Sequence, residues 1–249
     1  MSSVATSNKT VYFVTGANRG IGFGLVKALS ARPDVLIFAT ARNPSKAADL
    51  NALAEEKGNI EVLQLEAASE EDARVAAQLV REKAGRIDVL IANAGICEAY
   101  GVSSAQSPEV YRRHFEVNTI GPVVLFSALK ELLFKSSSPK LVAVSTAGAS
   151  LTLNVPLPMG PYFASKASLN FVIGKFAQEH KDNKLTAFVL SPGFVQTDMG
   201  AVGAKRFGLE EAPVKLEDSL AGILKLVDDS TLDSHSGRFF DYTGEGLPW

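Results

Sequence analysis

The chain has 249 residues, of which 46% are hydrophobic and 21% are charged, and its formal net charge is -2. This composition is typical of a globular protein with a sizeable core. The sequence has no stripe of basic residues of the kind that binds nucleic acid, so no nucleic-acid partner is predicted. Because α/β folds of this length commonly form one unit, we predict a single domain over residues 1–249.

The chain begins with a polar segment, Met1 to Lys9, which lacks the apolar stretch of a secretory signal. No later run reaches the roughly 18 apolar residues of a membrane span. Cys97 is the only cysteine, so no disulfide can form within the chain. These features indicate a cytoplasmic protein that has no membrane partner.

Short apolar runs alternate with helical patterns along the rest of the chain, as they do in repeated βαβ units. Strands are predicted near Thr10 to Thr15, Val35 to Ala41, Ile60 to Leu65, Ile87 to Ala92, Lys140 to Ser145, Leu185 to Leu190 and Arg238 to Asp241. Helices are predicted over Gly22 to Ala31, Ser45 to Glu56, Glu70 to Ala84, Pro108 to Phe134, Tyr162 to His180 and Leu216 to Asp228. The pattern predicts an α/β fold: a single-domain doubly wound (Rossmann) parallel seven-stranded sheet with helices on both faces.

Two predicted connections are unusually long, and both follow strands at the edge where open α/β sheets bind ligands. The first runs from Ala147 to Pro161, and the second, from Ser191 to Pro213, contains four glycines. Either could be an ordinary surface excursion, but their position favours a role as substrate walls or lids.

The first predicted strand ends in a glycine-rich turn, Thr15-Gly16-Ala17-Asn18-Arg19-Gly20-Ile21-Gly22, which opens directly into a helix. Glycines allow a tight turn, and the free N–H groups at the start of the helix attract a pyrophosphate. A glycine triplet alone also marks simple packing of a strand against a helix. Its place between the first strand and the first helix favours a dinucleotide site.

The end of the second strand indicates which dinucleotide binds. NAD sites usually carry an acidic residue there for the ribose 2′-hydroxyl, whereas a basic residue accommodates a 2′-phosphate. This chain has Arg42 at that point and Arg19 in the glycine turn. Because two guanidinium groups can hold one phosphate, we predict NADP(H) as the cofactor.

Tyr162 and Lys166 are four residues apart, which places a phenol and an ammonium group on one face of a helix. A nearby positive charge favours the phenolate, so the pair predicts a proton donor whose pKa is lowered. The same spacing arises by chance in many helices, and its weight therefore depends on the other motifs.

Taken in chain order, these motifs resemble the short-chain dehydrogenase/reductase family over essentially the whole chain. The resemblance rests on the turn from Thr15 to Gly22, Asn93-Ala94-Gly95, Asn118, Ser145-Thr146, Tyr162 with Lys166, and Pro192-Gly193. A narrower likeness, to bacterial C-factor proteins and fungal ketoreductases of the norsolorinic acid type, rests on Val195 to Gly200 and the terminal Leu247-Pro248-Trp249.

The resemblance implies an enzyme that reduces a ketone or aldehyde to an alcohol with NADPH. Tyr162 would donate the proton, Lys166 would hold the nicotinamide ribose, and Asn118 would hold a water of a proton relay. The expected cofactor contacts are Gly16, Asn18, Arg19, Gly20, Ile21, Gly22, Arg42, Glu66, Ala67, Asn93, Ala94, Gly95, Tyr162, Lys166, Pro192, Gly193, Val195 and Thr197. Because helices like those beginning at Pro108 and Tyr162 commonly pair family members, a homodimer or homotetramer is expected.

Two residues are candidates for the hydroxyl that orients the substrate carbonyl. The family usually carries a Ser-Ser pair at the end of the fifth strand and uses the second serine, a position that is Thr146 here and follows Ser145. Adjacent strand residues point to opposite faces, so only one of the two should face the site unless the strand ends early. Both remain candidates at this point.

The expected substrate loops carry Tyr100, Leu153, Met159, Phe194 and Met199. Together these side chains indicate an apolar pocket for a hydrophobic or aromatic ketone, although each of them could belong to ordinary packing.

Two other classes of protein compete with the enzyme hypothesis: an NADP(H)-binding redox sensor or regulator without turnover, and a scaffold. The intact set of Asn118, Tyr162 and Lys166 favours the enzyme, because a sensor does not need a proton relay. The three histidines lie far apart in the sequence and lack ligand spacing, so no metal site is predicted.

Overall fold

The computed structural model describes residues 8–249, so residues 1–7 of the predicted polar segment lie outside the described residues. Over the described range one sheet contains β1 Thr10–Val14, β2 Val35–Ala41, β3 Ile60–Gln64, β4 Val89–Ala92, β5 Lys140–Val144, β6 Thr186–Ser191, β7 Phe239–Asp241 and β8 Gly246–Leu247. Their spatial order is β3-β2-β1-β4-β5-β6-β7-β8. After β3 the chain returns to the free edge of β1, which is the arrangement of a doubly wound fold and confirms the predicted class.

Helices cover both faces of this sheet. They are α1 Gly20–Ser30, α2 Ala48–Lys57, α3 Glu70–Lys83, α4 Pro108–Phe115, α5 Gly121–Leu133, α6 Gly160–Glu179, α7 Asp198–Arg206, α8 Leu216–Asp229 and α9 Leu232–His235. Val11 and Phe13 of β1 belong to the core shared with α3, α5 and α6, whereas Tyr12 and Val14 belong to the core shared with α1, α2 and α8. The alternation of side chains along a strand therefore supplies both apolar layers.

The strand register gathers several loops at one edge of the sheet. Val14 of β1 pairs with Ile91 of β4, and Val144 of β5 pairs with Leu190 of β6. Because these strands are parallel and end at nearly the same level, the loops that follow them converge on the region above β1, β4, β5 and β6. The site described below lies there.

The sheet has one more strand than predicted. Gly246 and Leu247 pair antiparallel with β7, while the seven strands before them are parallel as expected. Two residues are too short a run to produce a recognisable alternation in the sequence.

The prediction of one uninterrupted α-helix from Pro108 to Phe134 is wrong. A π-helical turn, Glu116–Ile120, separates α4 from α5. Pro122 stands in the first turn of α5, where its missing N–H and fixed φ suit a new helix start better than a helix interior.

The connection predicted from Ser191 to Pro213 is also partly helical, because it contains α7. The glycines of this helix pack closely instead of loosening the chain. A Cβ added at Gly200 would lie 1.9 Å from the carbonyl oxygen of Val195, and one added at Gly203 would lie 3.2 Å from the ring of Phe194.

Candidate cofactor and catalytic cleft

The glycine turn between β1 and α1 has the backbone geometry of an anion-binding turn. Gly16 and Gly20 have φ values of 63° and 54°, in the left-handed region that favours glycine. A Cβ at Gly22 would lie 2.2 Å from the carbonyl oxygen of Gly16, so the third glycine lets the helix close on the turn. No side chain caps the N-terminus of α1, and its first N–H groups are left available to a ligand.

The turn forms one end of a cleft that encloses about 1290 Å³, part of it open to solvent. The lining residues that the sequence predicted are Gly16, Asn18, Arg19, Gly20, Ile21, Arg42, Glu66, Ala67, Asn93, Ala94, Gly95, Ser145, Tyr162, Lys166, Pro192 and Thr197. Five predicted residues do not line it: Gly22, Asn118, Thr146, Gly193 and Val195. Most of the predicted set is thus brought together, with the phosphate-binding features at one end and Tyr162 at the other.

Two of the arginines that line the cleft, Arg19 and Arg42, are each paired with an acidic residue. Arg42 Nε lies 3.7 Å from Glu66 Oε2, and Arg19 Nη1 lies 3.4 Å from Asp198 Oδ2. Both pairs are long and largely exposed, and ion pairs of this kind are worth about 0–1 kcal/mol. The two guanidinium groups can therefore turn to a bound phosphate at little cost.

Tyr162 and Lys166 lie on the first turns of α6, as their spacing predicted. Lys166 is buried, and its Nζ donates a 2.7 Å hydrogen bond to the carbonyl oxygen of Val144 at the end of β5. Burial lowers the pKa of Lys166 to about 8. The lowered pKa expected for Tyr162 is not found, because burial raises the pKa of its phenol above the ordinary value.

The structure separates the two candidate hydroxyls beside Tyr162. Ser145 lines the cleft, is buried, and donates a 2.5 Å hydrogen bond to Asn170 Oδ1 of α6. Thr146 lies outside the lining, and its hydroxyl accepts a 3.3 Å hydrogen bond from the N–H of Gly148 in the turn that follows. Ser145 is thus the hydroxyl that shares the cleft with Tyr162.

Asn118 lies in the π-helical turn, fully buried behind the cleft wall. Its Oδ1 accepts from the N–H of Ile96 at 2.8 Å, and its Nδ2 donates to the carbonyl oxygen of Ile96 at 2.9 Å and to Ser165 Oγ at 3.0 Å. The amide therefore fixes the chain after β4 against α6. A Cβ placed on Gly95 would come within 3.0 Å of Asn118 Oδ1 and 3.2 Å of Lys166 Nζ, so the glycine keeps open the space between them.

Three loops surround the open end of the cleft near Tyr162. The N–H of Gly101 donates to the carbonyl oxygen of Pro158 at 2.8 Å, which ties the loop after β4 to the loop after β5. The ring of Tyr100 packs edge-on against Phe207 at 6.0 Å, just after α7. Met199 of α7 lines the cleft and is 41% exposed. These contacts form a largely apolar mouth.

Cys97 lies close enough to the Tyr162 and Lys166 side chains to influence their pKa values. Burial raises the pKa of Cys97 to about 11, so its thiol stays protonated near neutrality. Its interpretation as a residue without a reactive role stays a prediction.

Sequence reasoning missed several residues that line the cleft: Leu65, Ile96, Arg113, Val117, Val144 and Asp198. Arg113 and Val117 are four residues apart, a spacing that puts both on one helix face, but nothing in the sequence indicated that this face turns towards β2. The other four each adjoin a predicted site residue, and extending every motif by one position would have included them.

Over residues 8–249 no group of three or more His, Cys, Asp or Glu side chains could hold a metal ion. In the same part of the chain, no helix has the length and apolar character that crossing a membrane requires.

Comparison with known proteins relates this cleft to a family. A sequence model described as short chain dehydrogenase matches residues 10–206. The chain is 39% identical to norsolorinic acid ketoreductase from Aspergillus parasiticus, an alignment that covers 97% of this chain and 92% of the relative.

Solved structures show the same likeness. The NADPH-bound carbonyl reductase from chicken fatty liver has a TM-score of 0.88 at 28% identity, and the match covers 97% of this chain and 100% of that one. The carbonyl reductase Sniffer of D. melanogaster has a TM-score of 0.87 at 26% identity, with coverage of 97% and 99%.

Proposed function

The chain belongs to the short chain dehydrogenase family, and on that premise we propose that it reduces a ketone or aldehyde to an alcohol with NADPH as hydride source. The observation that carries the proposal is one shared cleft, in which the glycine turn and Arg42 are joined to Ser145 and Tyr162. The similar proteins described above are a ketoreductase and two carbonyl reductases, which agrees with this activity.

The residues of the cleft fit a phosphorylated dinucleotide. N–H groups at the start of α1 would hold the pyrophosphate, because they are uncapped and lie at the positive end of the helix dipole. Arg42 and Arg19 would hold the 2′-phosphate. Glu66 and Ala67 would lie beside the adenine.

The other end of the cleft fits the nicotinamide. We assign Asn93, Ala94 and Gly95 to the ribose region, since a Cβ at Gly95 would fill the space beside Lys166. Pro192 and Thr197 line the cleft near Tyr162 and would border the nicotinamide ring. Gly193 and Val195 lie outside the lining, so any contact from them would involve their main chain.

The chemistry divides between the cofactor and the protein. When bound, NADPH supplies a hydride to the carbonyl carbon. Tyr162 donates its phenolic proton to the carbonyl oxygen, and its raised pKa keeps that proton in place until the oxygen becomes basic. Ser145 would orient the same oxygen by turning its one O–H donor from Asn170 Oδ1 towards the substrate.

Lys166 and Asn118 support the proton donor. The pKa of Lys166 is about 8, which is close to neutral pH, so its ammonium group can release a proton and take one up again. Asn118 holds Ile96 and Ser165 in place by hydrogen bonds. We assign to the region around Asn118 the path by which a water would return a proton to Lys166.

The mouth of the cleft favours a hydrophobic or aromatic carbonyl compound. Met199 lines the cleft and is 41% exposed, and the loop after β5 carries two further exposed apolar side chains, Leu151 at 83% and Leu153 at 45%. An apolar substrate would cover this surface and gain about 25 cal/mol for each Å² removed from water. A panel in which only small charged ketones were reduced would contradict this substrate class.

Replacing Tyr162 by phenylalanine tests the proposed reaction. Because a positioned general acid contributes about 10²- to 10⁴-fold, Tyr162→Phe should lower kcat for ketone reduction by that range and leave the Kd for NADPH unchanged. Tyr111→Phe is the matched control, since the Tyr111 hydroxyl bonds to the carbonyl oxygen of Ser103 and does not line the cleft.

Two outcomes would change the assignment. A wild-type protein that binds NADPH but reduces no member of the ketone panel would be a sensor or regulator. Equal catalytic efficiency with NADH and NADPH would remove the proposed role of Arg42.

A further inference from the structure

A third arginine, Arg113, lines the same cleft as Arg19 and Arg42. Arg113 belongs to α4, one helical turn before Val117, which lines the same cleft. The proposed function gives this residue no part, and no sequence motif indicated it.

Arg113 is held in a fixed position by Glu98 from the loop after β4. Its Nε lies 2.6 Å from Glu98 Oε2 and its Nη2 lies 3.0 Å from Glu98 Oε1, a bidentate ion pair. Such a pair fixes the plane of the guanidinium group. Two of the five N–H groups of Arg113 are used in this way, so three are left to face a ligand.

The Arg113–Glu98 pair lies within electrostatic range of the Arg42–Glu66 pair. The pKa of Glu98 is held down mainly by the hydrogen bond from Arg113, and Arg42 adds to the effect. The pKa of Arg113 is held up mainly by Glu98, and Glu66 adds to it. Arg42, Glu66 and Arg113 line the same cleft, and Glu98 is bonded to Arg113, so the two ion pairs lie in one part of the molecule.

The two pairs differ in tightness. Arg42 and Glu66 are 3.7 Å apart, beyond hydrogen-bond length, whereas Arg113 and Glu98 share two hydrogen bonds. A dianion entering between them would draw Arg42 away from Glu66 and would meet Arg113 already in place. The four side chains together carry no net charge, so each of the two arginines would meet the doubly charged phosphate with a carboxylate beside it.

We propose that Arg113 is a further cofactor-specificity residue, which contacts the 2′-phosphate of NADP(H) together with Arg42 and is positioned by Glu98. This inference rests on the proposed cofactor. It assigns to α4 a part in choosing between NADPH and NADH.

The adjacent arginine provides a matched control. Arg112 lies on the same helix, pairs with Glu109 at 3.3 Å and does not line the cleft. Arg112→Met and Arg113→Met each remove one guanidinium group from α4 and keep an unbranched side chain. Any effect on folding or on overall charge should therefore be similar in the two variants.

The test is titration of each purified protein with NADPH and with NADH, followed by cofactor fluorescence in the absence of a ketone. Arg113→Met should weaken NADPH binding about tenfold or more, the loss expected for a hydrogen bond to a charged group, and leave NADH binding nearly unchanged. Arg112→Met should alter neither. Arg113→Lys, which keeps the charge and loses the planar fork, should recover part of the NADPH affinity.

Two results would overturn the proposal. An unchanged NADPH affinity in Arg113→Met would show that the residue makes no contact, and an equal loss for NADPH and NADH would place its contact on the adenine or ribose. Failure of the proposed function gives a different result, because the wild-type protein would then bind NADPH without preference over NADH, or reduce no ketone.

Discussion

Ser145 and Thr146 are adjacent in the chain but lie in different environments. Ser145 is buried in the cleft beside Tyr162, whereas Thr146 caps the short helical turn that follows β5. β5 ends at Val144, one residue before this pair, so the turn after the strand gives the two hydroxyls their different environments.

Alanine replacements should distinguish the two hydroxyls. Ser145→Ala is expected to lower kcat/KM for ketone reduction by about 10²-fold or more, by analogy with the loss of an oxyanion donor. Thr146→Ala should leave kcat/KM nearly unchanged and lower the free energy of unfolding by at most about 0.5–2 kcal/mol, the range for a lost cap. The opposite order of activities would return the role to Thr146.

The buried ammonium of Lys166 makes stability depend on pH. Its folded-state pKa of about 8 lies below the ordinary value of 10.5, so the unfolded chain binds more protons between these two values. Stability therefore rises with pH in this window, up to a limit of about 3 kcal/mol for a shift of that size.

We expect this dependence to disappear when the ammonium is removed. Relative to Lys166→Met, the cofactor-free wild-type protein should gain free energy of unfolding as the pH is raised from about 8 to about 10, measured by urea denaturation. The comparison with the variant is needed because Cys97 and Tyr162, whose pKa values are raised, act in the opposite direction. A constant difference between the two proteins would mean that Lys166 is not desolvated.

Side-chain chemistry at single positions was largely predictable from the sequence. Gly16, Arg42, Tyr162 and Lys166 all line one cleft, because their motifs occur at the ends of strands that a doubly wound sheet brings together. The direction of the Tyr162 pKa was wrong, since spacing reports the presence of Lys166 but not the burial of the phenol.

At the scale of elements, the π-helical turn is the feature that shapes the site. It places Asn118 where the amide can hold both the N–H and the carbonyl oxygen of Ile96. An uninterrupted helix from Pro108 to Phe134 would have continued its regular hydrogen bonds through this position. Wide turns of this kind are frequent at functional sites.

Gly95 offers a test of the space that this turn protects. Gly95→Ala would place a methyl group 3.0 Å from Asn118 Oδ1 and 3.2 Å from Lys166 Nζ, so we expect weaker NADPH binding and a lower kcat. Gly174→Ala is the matched control, because no atom lies within 4 Å of the added Cβ on α6. That variant should keep full activity and gain about 0.5–1 kcal/mol of stability. Equal activity of the two variants would contradict the role of Gly95.

Elements were predictable where hydrophobic alternation was strong and less so elsewhere. Strands β1 to β6 lie close to their predicted positions, since all but β3 carry a run of buried apolar residues and β3 keeps two, Ile60 and Leu63. Helix α7 was missed because Gly200 and Gly203 lower helix propensity, and their packing against Val195 and Phe194 is visible only in three dimensions. Arg113 was not predicted either, because its position in the cleft is likewise visible only in three dimensions.

At the scale of the whole molecule, Trp249 is joined to the loop that follows β5. The N–H and the hydroxyl of Thr152 both donate to the main-chain oxygen of Trp249, at 3.1 Å and 2.8 Å. The indole ring of Trp249 stacks on Phe239 of β7 at 5.8 Å. The edge of the sheet thus holds the loop after β5.

Trp249→Ala should loosen this loop while leaving the cofactor end intact. We expect KM for ketones to rise and the Kd for NADPH to stay the same, because no cofactor-lining residue contacts Trp249 through the described bonds. Steady-state kinetics and fluorescence titration measure the two quantities. A parallel change in both would show that the substitution acts on the fold as a whole.

The order of the strands also bears on how the chain assembles as it is synthesised. Each new strand joins a free edge of the existing sheet: β2 and β3 on one side of β1, then β4 to β8 on the other. No strand has to be inserted between two that are already paired, so the nascent protein can add secondary structure from its N-terminus without undoing earlier hydrogen bonds. The cost is an unpaired growing edge, which is open to pairing with other chains until the short antiparallel β8 covers part of β7.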